Sequence, residues 1–289
     1  MTDTLLSEHV VLSTLNELPV LRIDNQYATA AIAIQGAHLI EYTPTNQGNV
    51  LFVSQEESFE KGKAIRGGVP ICWPWFGPHT QEASAPAHGL VRTSDWDYEV
   101  ITDTAERTDL RFTYQTTGDQ PGFKYKATCE LLISIGDTLV MSLTTINNDD
   151  KPFELSQALH TYFSCANIDH VRIQGLDGAR FLNRLENKAY ELKGEFVFDQ
   201  EVDGVVLDKG EPVKLTSLGK EAVTMTRKGS NSLVLWNPWI EKSKTLINFN
   251  DLEYTSMFCV ETTNASEDSR LVKPGKTHVM LMEISTETA

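Results

Sequence analysis

The sequence predicts an all-β protein, one large antiparallel β-sandwich domain over residues 1–289. Short segments of alternating polarity recur along the chain, turn residues separate them, and no long segment carries a 3.6-residue apolar period. The clearest alternation runs from Leu110 to Gln115, where Leu110, Phe112 and Tyr114 interleave with Arg111, Thr113 and Gln115. Thr128 to Ile135 and Thr138 to Ile146 flank Gly136-Asp137, a two-residue loop of the kind that closes a hairpin. Further strand-length segments are Phe153 to Phe163, His170 to Gln174, Ala222 to Arg227, Ser232 to Trp236, Ser256 to Glu261 and His278 to Ile284.

A chain of 289 residues is long enough for two average domains, but neither an internal repeat nor a low-complexity linker divides it. Apolar residues at 40% and charged residues at 22% are ordinary globular proportions and allow a sizeable core. A formal charge of −15 argues against broad polyanion-binding surfaces, so no nucleic-acid or membrane partner is predicted; an anionic ligand needs a local basic pocket. The four cysteines, Cys72, Cys129, Cys165 and Cys259, lie far apart without metal-ligand spacing, which predicts reduced thiols, no zinc site and no disulfide framework. The N-terminus has no basic region leading into an apolar run, and a cytoplasmic location is expected.

Phe59 to Ser94 breaks the strand rhythm. It is long and rich in Gly, Pro and aromatic residues, and it carries Arg66, His79, His88 and Arg92. Loops of this length are usually functional or disordered, and Trp73, Trp75 and Phe76 argue against disorder. It reads either as the wall of a ligand site or as a plug over the end of the sandwich.

Two residues stand out as acid–base candidates. If Phe153 to Phe163 is a strand, Phe153, Leu155, Leu159 and Phe163 form its core face, leaving Ser156, Ala158, His160 and Tyr162 on the other. An imidazole on that small, polar face suits proton transfer near neutral pH. Glu261 ends the nearly apolar run Met257-Phe258-Cys259-Val260; it is either a buried base or a solvated carboxylate just past a strand. Trp73, Trp75, Trp236 and Trp239 could stack on sugar rings or plug the core.

With these residues in view, the sequence resembles the aldose 1-epimerase superfamily, and within it the hexose-6-phosphate mutarotase branch. The matching segments are IRGGVPICWPWFGPH (65–79), AHGLVRTSDWDY (87–98), LSQALHTYF (155–163), VLWNPWIEKSK (234–244) and MFCVE (257–261), in the family's order. The resemblance implies a galactose-mutarotase-like supersandwich that needs neither metal nor cofactor; the expected partner is a small-molecule sugar phosphate, and the expected state a monomer. It implies His160 as general acid and Glu261 as general base, Arg66 and Arg92 at the phosphate, His88 in the same wall, and Asp203 on the sugar.

The chain departs from the family pattern at Ala87, at Gly204-Val205 and at Thr262-Thr263, and the segment from Thr262 to Asp268 is expected to shape the cleft rim. Mutarotation removes the anomeric hydroxyl proton while the ring oxygen gains one, which suits an imidazolium facing a carboxylate at the start of the reaction. Two alternatives stay open: a mutarotase of free aldoses, and a noncatalytic carbohydrate-binding sandwich.

Overall fold

Strong alternation drives the architecture. In Lys126–Ile135 and Thr138–Asn147 every second side chain is buried, so these strands turn one face inward. They pair antiparallel around Gly136-Asp137, as the sequence predicts. The computed structural model describes residues 3–217 and 219–287. Its first five strands, from Thr4–Ser7 to His38–Pro44, form a sequential antiparallel sheet that the sequence reading did not identify.

Two eight-stranded sheets follow. One runs in the order Arg172–Gln174, Val213–Thr216, Val223–Lys228, Thr277–Thr286, Thr138–Asn147, Lys126–Ile135, Thr108–Thr117 and Asp97–Asp103. The other runs from Lys188–Glu191 through Arg180–Asn183, Val202–Leu207, Ser232–Asn237, Met257–Asn264 and Gln157–Leu159 to Ile71–Cys72, with Tyr162–Ser164 also paired to Met257–Asn264. A continuous core joins Leu131, Ile133, Met141 and Leu143 of the first sheet to Leu159, Phe163, Leu235, Phe258 and Val260 of the second. This is a β-sandwich, and helix among the described residues is limited to Trp239–Ser243 and three short 3₁₀ turns.

Phe153 to Phe163 is not one strand. It is three, Phe153–Leu155, Gln157–Leu159 and Tyr162–Ser164, interrupted at Ser156 and at His160-Thr161. The long loop causes both breaks by drawing the backbone toward itself: Ser156 N–H donates to the Pro74 carbonyl and His160 N–H to that of Pro70. The two-face pattern survives, since Phe153, Leu155, Leu159 and Phe163 all lie in the core. A second difference concerns Thr262, Thr263 and Asn264, which continue the strand Met257–Asn264 and are fully buried rather than forming a rim.

The loop 59–94 is packed against the sandwich. Trp73 fills the core with no exposed surface, and its indole N–H donates to Thr145 Oγ1 at 2.9 Å. Gly89 sits beside it in the left-handed region at φ 86°, where an added Cβ would lie 1.9 Å from the Trp73 carbonyl oxygen. Gly89→Ala therefore combines a clash with a left-handed backbone penalty of roughly 1–2 kcal/mol. It is expected to lower the midpoint of urea or thermal unfolding clearly; an unchanged midpoint would show that the loop yields at this contact.

Candidate active site

The site forms on the outer face of the second eight-stranded sheet, and the register of one strand pair creates it. Gln157, Ala158 and Leu159 oppose Asn264, Thr263 and Thr262, and Tyr162, Phe163 and Ser164 oppose Cys259, Phe258 and Met257. The register is the same on both sides of the interruption. His160 therefore stands directly opposite Glu261, in the gap where the ladder is broken. Opposed side chains in an antiparallel pair project from the same face, and His160 Nε2 lies 3.5 Å from Glu261 Oε1.

The pair is nearly enclosed, with side chains 12% and 1% exposed. The imidazole stacks on the Tyr162 ring at 4.9 Å between centroids and meets the edges of His88 and Trp236. The buried atoms His160 Nδ1 and Glu261 Oε2 have no hydrogen-bond partner among the described residues. Burial disfavours charge on both groups, pushing His160 well below its ordinary value and Glu261 well above. His88, Arg92 and Arg66 depress His160 further, while Arg184 pulls Glu261 back toward its carboxylate and Asp203 opposes this. Both directions work against the imidazolium–carboxylate starting state expected from sequence.

His88, also at positive φ, comes from the loop and forms the facing wall. Its Nδ1 accepts the Gly77 N–H at 3.3 Å and lies 3.5 Å from Cys72 Sγ. An accepting Nδ1 fixes the neutral tautomer with its proton on Nε2. Burial and the charges of Arg92, Arg184 and Arg66 hold His88 down at about 3, so it remains a neutral donor. Burial pushes the Cys72 thiol up to about 12.

The same guanidinium groups locate the predicted arginines. Arg66 donates from Nη1 to Tyr162 Oη and from Nε to the Ile247 carbonyl, both at 3.4 Å. Arg92 donates to the Ala87 carbonyl at 2.7 Å. Both lie close enough to His88 and His160 to lower their proton affinity. The glycines beside Arg66, Gly67 and Gly68, answer to backbone packing. Gly68 N–H is bonded to the Phe52 carbonyl at 2.7 Å, and a Cβ on Gly67 or Gly68 would strike backbone within 2.4 Å. They are glycines because two chain segments pass too close for a side chain.

Asp203 reaches the site from Val202–Leu207 and carries a partner that sequence did not reveal: Arg184, whose Nη1 lies 3.4 Å from Asp203 Oδ1. His79 does not join the cluster; it bonds the Gly122 carbonyl and packs on Trp75. Of the four tryptophans expected to stack on sugar or plug the core, only Trp236 touches the imidazole, while Trp73 is core and Trp239 packs on Tyr254. Tyr162 was recoverable from alternation, two residues beyond His160 on the same face. Nothing in the polar run around Arg184 marks it in the sequence.

No group of three or more metal-ligating side chains occurs among the described residues, and no helix there is long and apolar enough to cross a membrane. The chain is 31% identical over 272 residues to the "Putative glucose-6-phosphate 1-epimerase" of Escherichia coli (strain K12), covering 92% of this chain and 90% of that one. It is 31% identical over 262 residues to a protein of the same name from Cenchrus ciliaris, covering 86% and 78%. The crystal structure of a "putative mutarotase" from Salmonella typhimurium superposes with a TM-score of 0.91 at 27% identity, covering 99% of this chain and 96% of that one. The Aldose 1-epimerase family model matches residues 19–285. By that match and these relatives, the chain belongs to the aldose 1-epimerase family.

Proposed function

We propose that the protein interconverts the α and β anomers of a hexose 6-phosphate, with glucose 6-phosphate as the first substrate to test. The observation that carries this reading is the enclosed, directly opposed His160–Glu261 pair. In the proposed reaction, Glu261 takes the anomeric hydroxyl proton as His160 protonates the ring oxygen, and the ring opens to the aldehyde. Rotation about C1–C2 and reclosure with the roles reversed deliver the other anomer. Every step is proton transfer and rotation.

The environment of the pair suits this cycle. Ring closure and opening alternate the enzyme between imidazolium–carboxylate and neutral imidazole–carboxylic acid, with the same number of protons. Burial lowers His160 and raises Glu261, which favours the neutral pair, the form that accompanies the open aldehyde. A favoured open-chain state lowers the cost of the intermediate, and a bound sugar supplies dipoles that help to restore the ionised form.

The phosphate assignment rests on Arg66 and Arg92 at the His160 end of the site. The C5–C6 arm leaves the ring beside the ring oxygen that His160 is proposed to serve, so a 6-phosphate falls toward these guanidinium groups. Asp203, near Glu261, would take hydroxyls of the sugar. The names of the curated relatives point to the same substrate class. We further propose that one domain and one chain suffice, since every assigned group comes from the same polypeptide.

Saturation-transfer NMR of glucose 6-phosphate anomer exchange tests the reading directly. His160→Ala and Glu261→Gln are each expected to reduce catalysed exchange about 10²–10⁴-fold with the fold retained; near-normal exchange in either variant removes that residue from the mechanism.

The pH dependence carries a sign. The working enzyme holds one proton in the pair; acid adds a second at His160, and alkali removes the last from Glu261. Because burial holds His160 well below 6.5, kcat/KM should persist below pH 6 before falling. An acidic limb centred near 6.5 would place His160 in an ordinary aqueous setting and overturn this account.

Arg66→Ala and Arg92→Ala should each weaken kcat/KM for glucose 6-phosphate by about 1.5–3 kcal/mol, the range for hydrogen bonds to charged groups, with little effect on free glucose. Equal losses on both sugars would assign these residues to loop architecture and favour a free-aldose mutarotase.

A further inference from the structure

Arg184 lies in a definite row of the sheet. Tyr162 opposes Cys259, Cys259 opposes Trp236, and Trp236 opposes Asp203. Arg184 N–H donates to the Asp203 carbonyl, which makes Arg184 the next member of the row. The adjacent row begins with Glu261 and crosses Val234, Val205 and Leu182. These three side chains pack with Phe76 and Trp236. Between Glu261 and Arg184 the floor is therefore apolar, and little there screens one charge from the other.

The guanidinium is held from two directions. One nitrogen is 3.4 Å from the Asp203 carboxylate, and the guanidinium carbon lies 5.2 Å from the centre of the Phe76 ring. Phe76 packs against His88, and His88 against His160. A cation on this ring face is favourable. An Arg–Asp pair with side chains 39% and 34% exposed contributes little to fold stability, so location is what the arrangement preserves.

We propose that Arg184 is a positioning residue of the active site: it fixes the Asp203 carboxylate and holds a positive charge at the Glu261 end of the apolar floor, keeping Glu261 able to act as a base. This rests on the reading of Glu261 as the proton acceptor. Arg184 touches neither reacting proton; it acts through its two neighbours.

Several other groups also face Glu261. His160 stands opposite, Asp203 comes from Val202–Leu207, and Cys259 shares its strand; Cys72 contributes from Ile71–Cys72. Arg66, His88 and Arg92 surround the pair from the loop. Among these, Arg184 is the cation that pulls Glu261 toward its charged form, and Asp203 pulls it the other way. The cysteines stay neutral thiols, since burial raises both. His88 stays neutral as well.

The test follows the Glu261 carboxyl carbon by ¹³C NMR in the unliganded protein, with Glu261→Gln identifying its signal, and follows kcat/KM against pH in parallel. Arg184→Gln should raise the Glu261 midpoint by about one pH unit, at the low end of what a neighbouring opposite charge produces. Asp203→Asn should lower it, and Arg184→Lys should restore most of the wild-type value. In exchange kinetics, Arg184→Gln should move the alkaline limb up and lower the plateau roughly tenfold, one decade per unit. An unmoved midpoint in Arg184→Gln overturns the proposal, even if activity falls. A moved midpoint in a protein that accelerates no anomer exchange upholds the charge relationship and rejects the mutarotase reading instead.

Discussion

The site depends on a ladder that breaks without losing register. Backbone pairing fixes Met257–Asn264 against two short strands, and the interruption between them leaves His160 facing Glu261. Had the interruption added or removed one residue, the imidazole would point into the core rather than to the face it shares with Glu261, because successive side chains alternate between faces. The strand bearing Glu261 is buried on both faces along its whole length. That makes the carboxylate a fixed feature of the sandwich, with the loop built around it.

Electrostatics at the site run against the character of the whole molecule. The chain carries a formal charge of −15, yet three arginines, Arg66, Arg92 and Arg184, converge where the second eight-stranded sheet meets the loop. Burial, reinforced by their charges, keeps His88 neutral and leaves its Nε2–H aimed by the Gly77 and Cys72 contacts to Nδ1. A negatively charged protein gains no long-range attraction for an anionic sugar. Any preference for one, as proposed, has to come from close contacts, inside a Debye length of roughly 8 Å at physiological salt.

Much of this was legible in the sequence. The hairpin at Gly136-Asp137 and the strands around it follow from period-two alternation, because these strands have one wet face and one dry face. The first five strands were harder: segments such as Ala28–Ala33 are buried on nearly every residue, which erases alternation. His160 and Glu261 were visible as candidates, but their direct opposition in one ladder was not, since register between distant strands is a property of the folded sheet. Gly67 and Gly68 show a related limit. A glycine signals that something comes close, without saying whether that is a ligand or, as here, another stretch of backbone.

The bond from His160 N–H to the Pro70 carbonyl joins the proposed acid to the loop through the main chain. The imidazole and the loop that walls it are thus one mechanical piece. Grafting a different 59–94 loop to change which sugars are accepted would also shift the imidazole relative to a carboxylate that cannot follow. Diversification of this scaffold is then easier by exchanging side chains on an unchanged loop backbone than by swapping loops of new length.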